Sequence, residues 1–520
     1  MTMRKYPIGI QTFANVVNGE WFYVDKTDFV AKLTRAGKFF FLSRPRRFGK
    51  SLLLSTLHAY FEGKRNLFKG LKLDSMDVDW TPSPVLHFDF NTVVSTDETG
   101  LEAYIINKLA QYEKEFELSQ SADSLSVRFG NLIQAISKQT GRPVAILVDE
   151  YDKPLLGLEP DSELYIRRQA LMKGFFGNLK SMEQYIRFAM LTGVARFSKV
   201  SIFSDLNNLK DISLDNEFAD ICGWTEEELV DTFRQGIEKL AEKNREDFDT
   251  TLGNLRNFYD GYRFAEEGSR LYNPFSVLNA LSSCKVEPYW FETGTPTFLA
   301  KRVKEYGIDL PSLNEQWATR DQLLTVGLGS KDPVPLLFQT GYLTIGDYDD
   351  ETGGYLLRFP NREVQVGFAK FLLPLYIPEA TELNSEFQMT YFQRDLVDGR
   401  PEDFMCRIQT LLAGESYHCH SESQYQSELY LIFNLAGARA RMETHTSNGR
   451  TDIEIKTRRF IYIFELKYNR SVEEAMAQIH ERDYAQRFQL DSRTIFLIGA
   501  NFVDREGEHG LQAWEIQQLK

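Results

Sequence analysis

Cysteine is scarce in this chain. Cys222, Cys284, Cys406 and Cys419 are the only four in 520 residues, and no two form a C-x-x-C pair. That spacing argues against a disulfide scaffold and against a zinc ribbon. Long apolar runs are missing as well: no stretch approaches the about 18 uninterrupted residues of a membrane-crossing helix. The opening MTMRKYPIGIQTF has no apolar core of the kind a secretion signal needs, so a cytoplasmic setting is expected. Positive charge is in deficit, with a formal net charge of −14. Such a field opposes a bulk polyanion, although it leaves room for a local basic groove. Histidine is sparse too, and the cluster His418-Cys419-His420 has no second ligand pair nearby, so it reads as a loop.

What is present is the composition of an ordinary globular protein, 42% hydrophobic and 26% charged. The length predicts about two to four domains. The most informative stretch is FFFLSRPRRFGKSLLL, an apolar run, a basic turn, then Gly49-Lys50-Ser51 and a second apolar run. A buried strand, a loop and a helix carrying Lys and Ser in its first turn make a phosphate site. Helix N–H groups bind anions, Lys reaches the β/γ-phosphates and the Ser hydroxyl ligates Mg²⁺. The usual pattern is G-x-x-x-x-G-K-[ST], and Arg44 stands here at the first glycine.

Downstream, PVAILVDEYDKP is an apolar strand ending in Asp149-Glu150. A strand-terminal acid holds the Mg²⁺ shell in phosphate-loop NTPases, and a neighbouring Glu polarises the attacking water. By itself this could be a buried strand whose exit carries solvated acids. Paired with Gly49-Lys50-Ser51, it points to a nucleotide site.

Strands are expected over 39–42, 85–90, 145–148 and 188–192, with helices between them, the pattern of a parallel sheet wrapped by helices. TEEELVDTFRQGIEKLAEKN then opens a helical region with a Thr cap and an acidic first turn. The aromatic stretches NFYDGYRF, LYNPFSVLNAL and YWFETGTPTFL read as packing between helices. LLFQTGYLTIGDYDDETGGYLLRFPN predicts a short helix and a hairpin about an acidic turn, compatible with a winged-helix module. The turn has no calcium-loop ligand pattern and is read as solvated. A boundary is expected near 374–384, giving a domain over 1–222, a helical lid and winged-helix-like region over 223–375, and a last domain over 376–520.

The last domain carries GRTDIEIKTRRFIYIFELKYN. With period two, Asp452, Glu454 and Lys456 share one face of a strand, and Ile461, Ile463, Glu465 and Lys467 share a face of the next. Charges beside isoleucines are costly unless they pair or bind something. Asp452, Glu465 and Lys467 supply two carboxylates for Mg²⁺ and an ammonium to orient water, suited to phosphodiester hydrolysis. The other reading is a structural Glu465–Lys467 pair at a sheet edge. Arg439, Arg441, Arg450, Lys456, Arg458, Arg459 and Arg470 cluster nearby in sequence, either as a modest groove or as a solvated basic face.

With both constellations in view, the chain resembles the bacterial AAA-ATPase-like proteins that carry a C-terminal PD-(D/E)xK nuclease-like domain. The matching stretches are YPIGIQTF, WFYVDKTDFV, FLSRPRRFGKSLLLSTL, ILVDEYDKPL, LTGVARFSKVSIFSDLNNLKDIS, YWFETGTPTFL, LLFQTGYLTI and GRTDIEIKTRRFIYIFELK. The resemblance implies an α/β phosphate-loop NTPase with a lid and winged-helix-like region, followed by an α/β restriction-endonuclease-like domain. It implies that Arg46, Arg47, Gly49, Lys50 and Ser51 bind ATP, with Ser51 and Asp149 on Mg²⁺ and Glu150 activating water. Arg196 falls where these ATPases carry a sensor or phosphate-contacting arginine; a structural salt bridge is its other reading. In the last domain Asp452 and Glu465 would hold Mg²⁺ beside Lys467. Gln478 and Tyr484 match positions that follow the motif, and Glu422 and Glu428 are candidates for the first-helix acid. The expected activity is ATP hydrolysis coupled to Mg²⁺-dependent cleavage of DNA. The alternative is a nucleotide-switched signalling or scaffold protein whose nuclease-like domain binds without cutting. A homo-oligomer stays open, since an arginine finger supplied in trans would need one.

Overall fold

The computed structural model describes residues 4–93, 97–120, 124–159, 162–196, 208–290, 297–306, 310–324, 332–376, 385–412, 422–436, 440–441, 453–505 and 508–519. By compactness the chain divides into two units. One comprises Met1–Leu299 and Glu315–Val364, the other Ala300–Asn314 and Gln365–Lys520.

The first unit is built on a five-stranded parallel sheet of β1 (Phe39–Ser43), β2 (Val85–Asp89), β3 (Val144–Asp149), β4 (Ile186–Gly193) and β5 (Lys210–Asp211). Their order is β2-β3-β4-β1-β5. Every residue of β1 and β3 is buried, as expected where helices cover both faces and strands read as unbroken apolar runs. Because all strands run one way, their C-terminal ends bring Ser43, Asp89, Asp149 and Gly193 to one edge. Ligands of open α/β sheets bind there.

The helix Glu226–Asn244 starts at the capping box read from the sequence: Thr225 Oγ1 accepts from Glu228 N–H at 3.2 Å, and Glu228 Oε2 accepts from Thr225 N–H at 3.0 Å. The helix–hairpin expectation is met by the helix Val334–Thr340 and by a three-stranded sheet of β6 (Gln316–Thr319), β7 (Thr344–Asp349) and β8 (Gly354–Arg358), ordered β6-β8-β7. The acidic turn closes on itself, Asp349 accepting from Glu351 N–H at 2.9 Å and Thr352 Oγ1 at 2.8 Å. In a winged-helix module the helix before the hairpin is the one that would read nucleic acid. Here Pro335 to Thr340 are all buried, so that face is spent inside the unit.

The second unit holds a mixed sheet of β9 (Ala440–Arg441), β10 (Ile453–Lys456), β11 (Phe460–Tyr468), β12 (Thr494–Arg505) and β13 (Glu508–Gln518). They lie in reverse chain order, with only β11 and β12 parallel. The helix Val472–Glu481 makes that parallel crossover, capped by Ser471 Oγ, which accepts from Glu474 N–H. It buries Val472, Met476 and Ile479 against Ile461, Ile463, Ile495 and Leu497. The expected boundary at 374–384 falls largely outside the described residues, as do His418, Cys419 and His420.

Candidate functional site

From β1 the chain leaves through Arg44-Pro45-Arg46-Arg47-Phe48-Gly49 and enters the helix Lys50–Phe61. Arg47 (φ 68°) and Gly49 (φ 97°) both take left-handed backbone, which curls the loop over the end of the sheet. A Cβ on Gly49 would meet nothing within 4 Å, so glycine is needed there for conformation, not space. Among the described residues no side-chain cap is made at the N-terminus of the helix. Its first N–H groups therefore remain for an anion.

Arg44 accounts for the missing first glycine. Its side chain is 1% exposed and turns into the core. There its guanidinium donates to the carbonyls of Ser43, Ser213, Phe218 and Ala219 at 2.8–3.2 Å and lies over the Phe264 ring at 4.2 Å. Burial pushes its pKa down to about 10, opposed by Asp211 and Asp220, so it stays charged at neutral pH. Arg44 thus ties down the root of the loop.

Lys50 is almost fully buried, and its ammonium donates to the carbonyls of Arg44 (3.1 Å) and Pro45 (3.2 Å). Asp149 ends β3, 4% exposed, its Oδ1 accepting from Thr192 Oγ1 at 2.6 Å and Glu150 N–H at 3.1 Å. Glu150 follows with φ 50°, a conformation uncommon outside glycine that clusters at functional sites. The turn is pinned by Asp152, wholly buried, whose Oδ2 accepts from Val194 and Ala195 N–H at 3.0 and 2.7 Å. Burial, and then the charge of Glu150, push Asp152 up to about 7.

One cavity of ≈360 Å³ is bordered by Arg46, Arg47, Gly49, Lys50, Ser51, Asp149 and Glu150. Its lining also includes the apolar residues Pro7, Ile10, Phe22, Ile221, Trp224 and Phe275. Both size and lining suit a small ligand that carries charged and apolar groups. Arg47 stacks over Phe275 at 4.8 Å. Arg196, read from sequence either as a sensor or phosphate contact or as a structural salt bridge, does not line this cavity. Its guanidinium is paired with Asp211 and its N–H donates to Gln339 Oε1 at 2.7 Å. Asp89, Asn91 and Lys153 line the cavity although sequence reading passed over them. Asp89 sits in register with Asp149, and burial first, then Asp149 and Glu150, raise its pKa.

In the second unit, Glu465 is 1% exposed on β11. Lys467 Nζ lies 2.9 Å from Glu465 Oε1 and donates to Gln478 Oε1 at 2.8 Å. Gln478 Nε2 in turn donates to Tyr484 Oη at 3.3 Å. The two positions that follow the motif in sequence therefore meet its lysine in space. Glu454 pairs with Ile463 across β10 and β11, so it shares the face of Glu465 and Lys467. It is fully buried, bound by Lys456 at 2.5 Å and by Arg487. Glu428, on the helix Glu422–Ala436, is also fully buried. Asp452, Arg439 and Arg450 lie outside the described residues, as does the side chain of Glu422. Of the remaining basic cluster, Lys456 is taken up by Glu454, and Arg459 and Arg470 lie 3.8 and 3.6 Å from Asp398 and Glu474.

Fold and sites together define an α/β protein of the phosphate-loop class that also carries a nuclease-like α/β sheet. Comparison agrees for both. Residues 7–203 match the model of a predicted AAA-ATPase, and residues 420–510 match that of the PD-(D/E)XK nuclease superfamily. A protein of Azotobacter chroococcum mcd 1, described as an uncharacterized protein in the vnfD 5' region, is 35% identical over 516 residues, covering 96% of this chain and 97% of its own length. The chain belongs to the family of predicted AAA-ATPases with a C-terminal PD-(D/E)XK nuclease superfamily domain.

Proposed function

We propose that the chain binds and hydrolyses ATP with Mg²⁺, and that its C-terminal domain is a Mg²⁺-dependent nuclease acting on DNA in the cytoplasm. The observation that carries the first half is Lys50, buried at an uncapped helix N-terminus beside Asp149 and Glu150 in one cavity. Among the described residues no group of three or more His, Cys, Asp or Glu side chains could hold a metal. Ser51 and Asp149 offer two hard oxygen donors, which fits Mg²⁺ taking the rest of its shell from phosphate and water. When bound, the ion would neutralise charge on the β- and γ-phosphates.

Lys50 trades its loop carbonyls for phosphate oxygens, and residues 46–49 wrap the triphosphate. Glu150 accepts a proton from water as the water oxygen bonds to the γ-phosphorus. The bond from phosphorus to the bridging oxygen breaks, its electron pair leaves with ADP, and the water oxygen departs in inorganic phosphate. Arg196 is left out because Asp211 already holds it. In the second domain Glu465, together with Asp452, would hold the ion, and Lys467 would orient the attacking water.

The test is ATP titration of wild type and Lys50→Ala, then cleavage of plasmid and single-stranded DNA with Mg²⁺ or Mn²⁺, with and without ATP. Loss of tight binding in Lys50→Ala with the fold intact supports the phosphate site; unchanged affinity rejects it. Hydrolysis without cutting under any condition would favour the nucleotide-switched binder.

A further inference from the structure

The aromatic stretch YWFETGTPTFL is not used by the chemistry above. Its second residue, Trp290, is 7% exposed, and its indole N–H donates to the main-chain carbonyl of Arg46, 3.1 Å away within the phosphate loop. A hydrogen bond to loop backbone constrains the loop only if the donor is itself held. Here it is held by Glu363, whose Oε1 accepts from the N–H groups of Tyr289 and Trp290 at 2.6 and 2.8 Å. Its Oε2 accepts from Ser276 Oγ at 2.7 Å. Ser276 lies on the helix Pro274–Ser283, and Pro274, Phe275 and Leu278 of that helix line the nucleotide cavity.

Two further contacts bear on Trp290 and on the loop. Tyr342 meets the Trp290 ring edge-on at 5.4 Å. Gly341, at φ 91°, lies so close to Pro45 that a Cβ would come within 2.6 Å of its side chain. Glu363 is fully buried. A carboxylate in such a place is costly, and its three donors are what compensate it. One buried acid therefore fixes both a cavity wall and the residue that grips the loop.

We infer that Trp290 is a positioning residue for nucleotide turnover: it fixes the phosphate-loop backbone through Arg46, with Glu363 as its anchor. The inference rests on the nucleotide reading of that loop, yet the grip can be measured without nucleotide. Trp290→Phe keeps a ring against Tyr342 and loses only the N–H donor. In the full chain, hydrogen–deuterium exchange of residues 44–49 is followed without nucleotide, beside ATP affinity, kcat and KM, and thermal melting.

Losing one neutral hydrogen bond should speed loop exchange and weaken ATP binding about 3–10-fold, with melting little changed. Glu363→Ala should loosen the loop and weaken ATP binding likewise, but with a lower melting temperature, because three buried donors lose their acceptor. Glu363→Gln, still able to accept at Oε1, should keep loop exchange and ATP affinity at wild-type values. Wild-type loop exchange in Trp290→Phe overturns the grip. Faster exchange throughout the unit, with a lower melting temperature and no rescue by Glu363→Gln, overturns it in favour of a merely structural role. A loosened loop with unchanged ATP affinity and turnover overturns the positioning role. If wild type itself binds no ATP while Trp290→Phe still loosens the loop, the grip stands and the nucleotide reading falls.

Discussion

Lys50 Nζ lies 3.5 Å from Glu150 Oε1, so the lysine after the phosphate loop and the acid after β3 meet at the cavity. The ammonium is thus partly neutralised by the group proposed to activate water. Glu150→Gln removes a negative charge beside the triphosphate while keeping the side chain's shape. ATP affinity should be equal to or tighter than wild type, because a like charge near phosphate is gone. Turnover should fall about 10²–10⁴-fold, the usual contribution of a general base. Single-turnover hydrolysis beside equilibrium ATP binding checks both; wild-type turnover removes Glu150 from the chemistry.

Arg44 gives a counterintuitive test. Arg44→Gly would restore the G-x-x-x-x-G-K-S pattern, so pattern alone predicts better binding. Its guanidinium instead serves four buried carbonyls. Each buried carbonyl left without its donor costs about 1–3 kcal/mol. The variant should unfold at clearly lower urea concentration, and ATP affinity should not improve. Equal stability would mean that the arginine is dispensable to the loop.

These cases show where the sequence was legible. FFFLSRPRRFGKSLLL and PVAILVDEYDKP showed their strands because parallel-sheet strands are continuous apolar runs, and Thr225 showed a helix start because its partner Glu228 is only three residues on. The link from Lys467 through Gln478 to Tyr484 was legible only through the family resemblance, which matches the last two to positions that follow the motif. The remainder depends on distant pairing. Trp290 is 244 residues from the carbonyl it grips, and nothing near Arg44 announces Ser213 or Phe264. Asp89 falls unremarked within an expected strand, and only its register with Asp149 puts it at the cavity. Of the two readings of Arg196, the structure shows the salt bridge, to Asp211, a partner that its sequence neighbours do not announce.

Glu363 should leave a pH signature in stability. Burial raises its pKa from the ordinary 4.5 to about 7, so the folded state holds the proton more tightly than the unfolded chain. Its contribution is fully present below pH 4.5 and is lost as pH rises through about 7. Tyr259 and Tyr262, the titratable groups facing it, are pushed up by burial and stay neutral throughout this window. The stability of wild type minus that of Glu363→Gln should therefore fall between these limits, by something on the order of 3 kcal/mol. Urea unfolding of both proteins at several pH values checks it; a difference that does not change with pH contradicts the burial argument.

In the nuclease-like domain, Lys467 stands between an acid and an amide, 2.9 Å from Glu465 Oε1 and 2.8 Å from Gln478 Oε1. If the ammonium orients the attacking water, the two neighbours contribute unequally. Lys467→Ala should abolish metal-dependent cutting. Gln478→Ala, which removes only the group that aims the lysine, should slow cutting about 10–100-fold, as outer-sphere partners typically do. A structural Glu465–Lys467 pair predicts another order: Lys467→Ala lowers the melting temperature, while cutting per folded molecule is kept. Plasmid nicking with Mg²⁺ or Mn²⁺, normalised to folded protein from a melting curve at the assay temperature, separates the two. Graded loss of cutting at constant folded fraction assigns Lys467 to the chemistry, and retained cutting with reduced stability assigns it to the sheet.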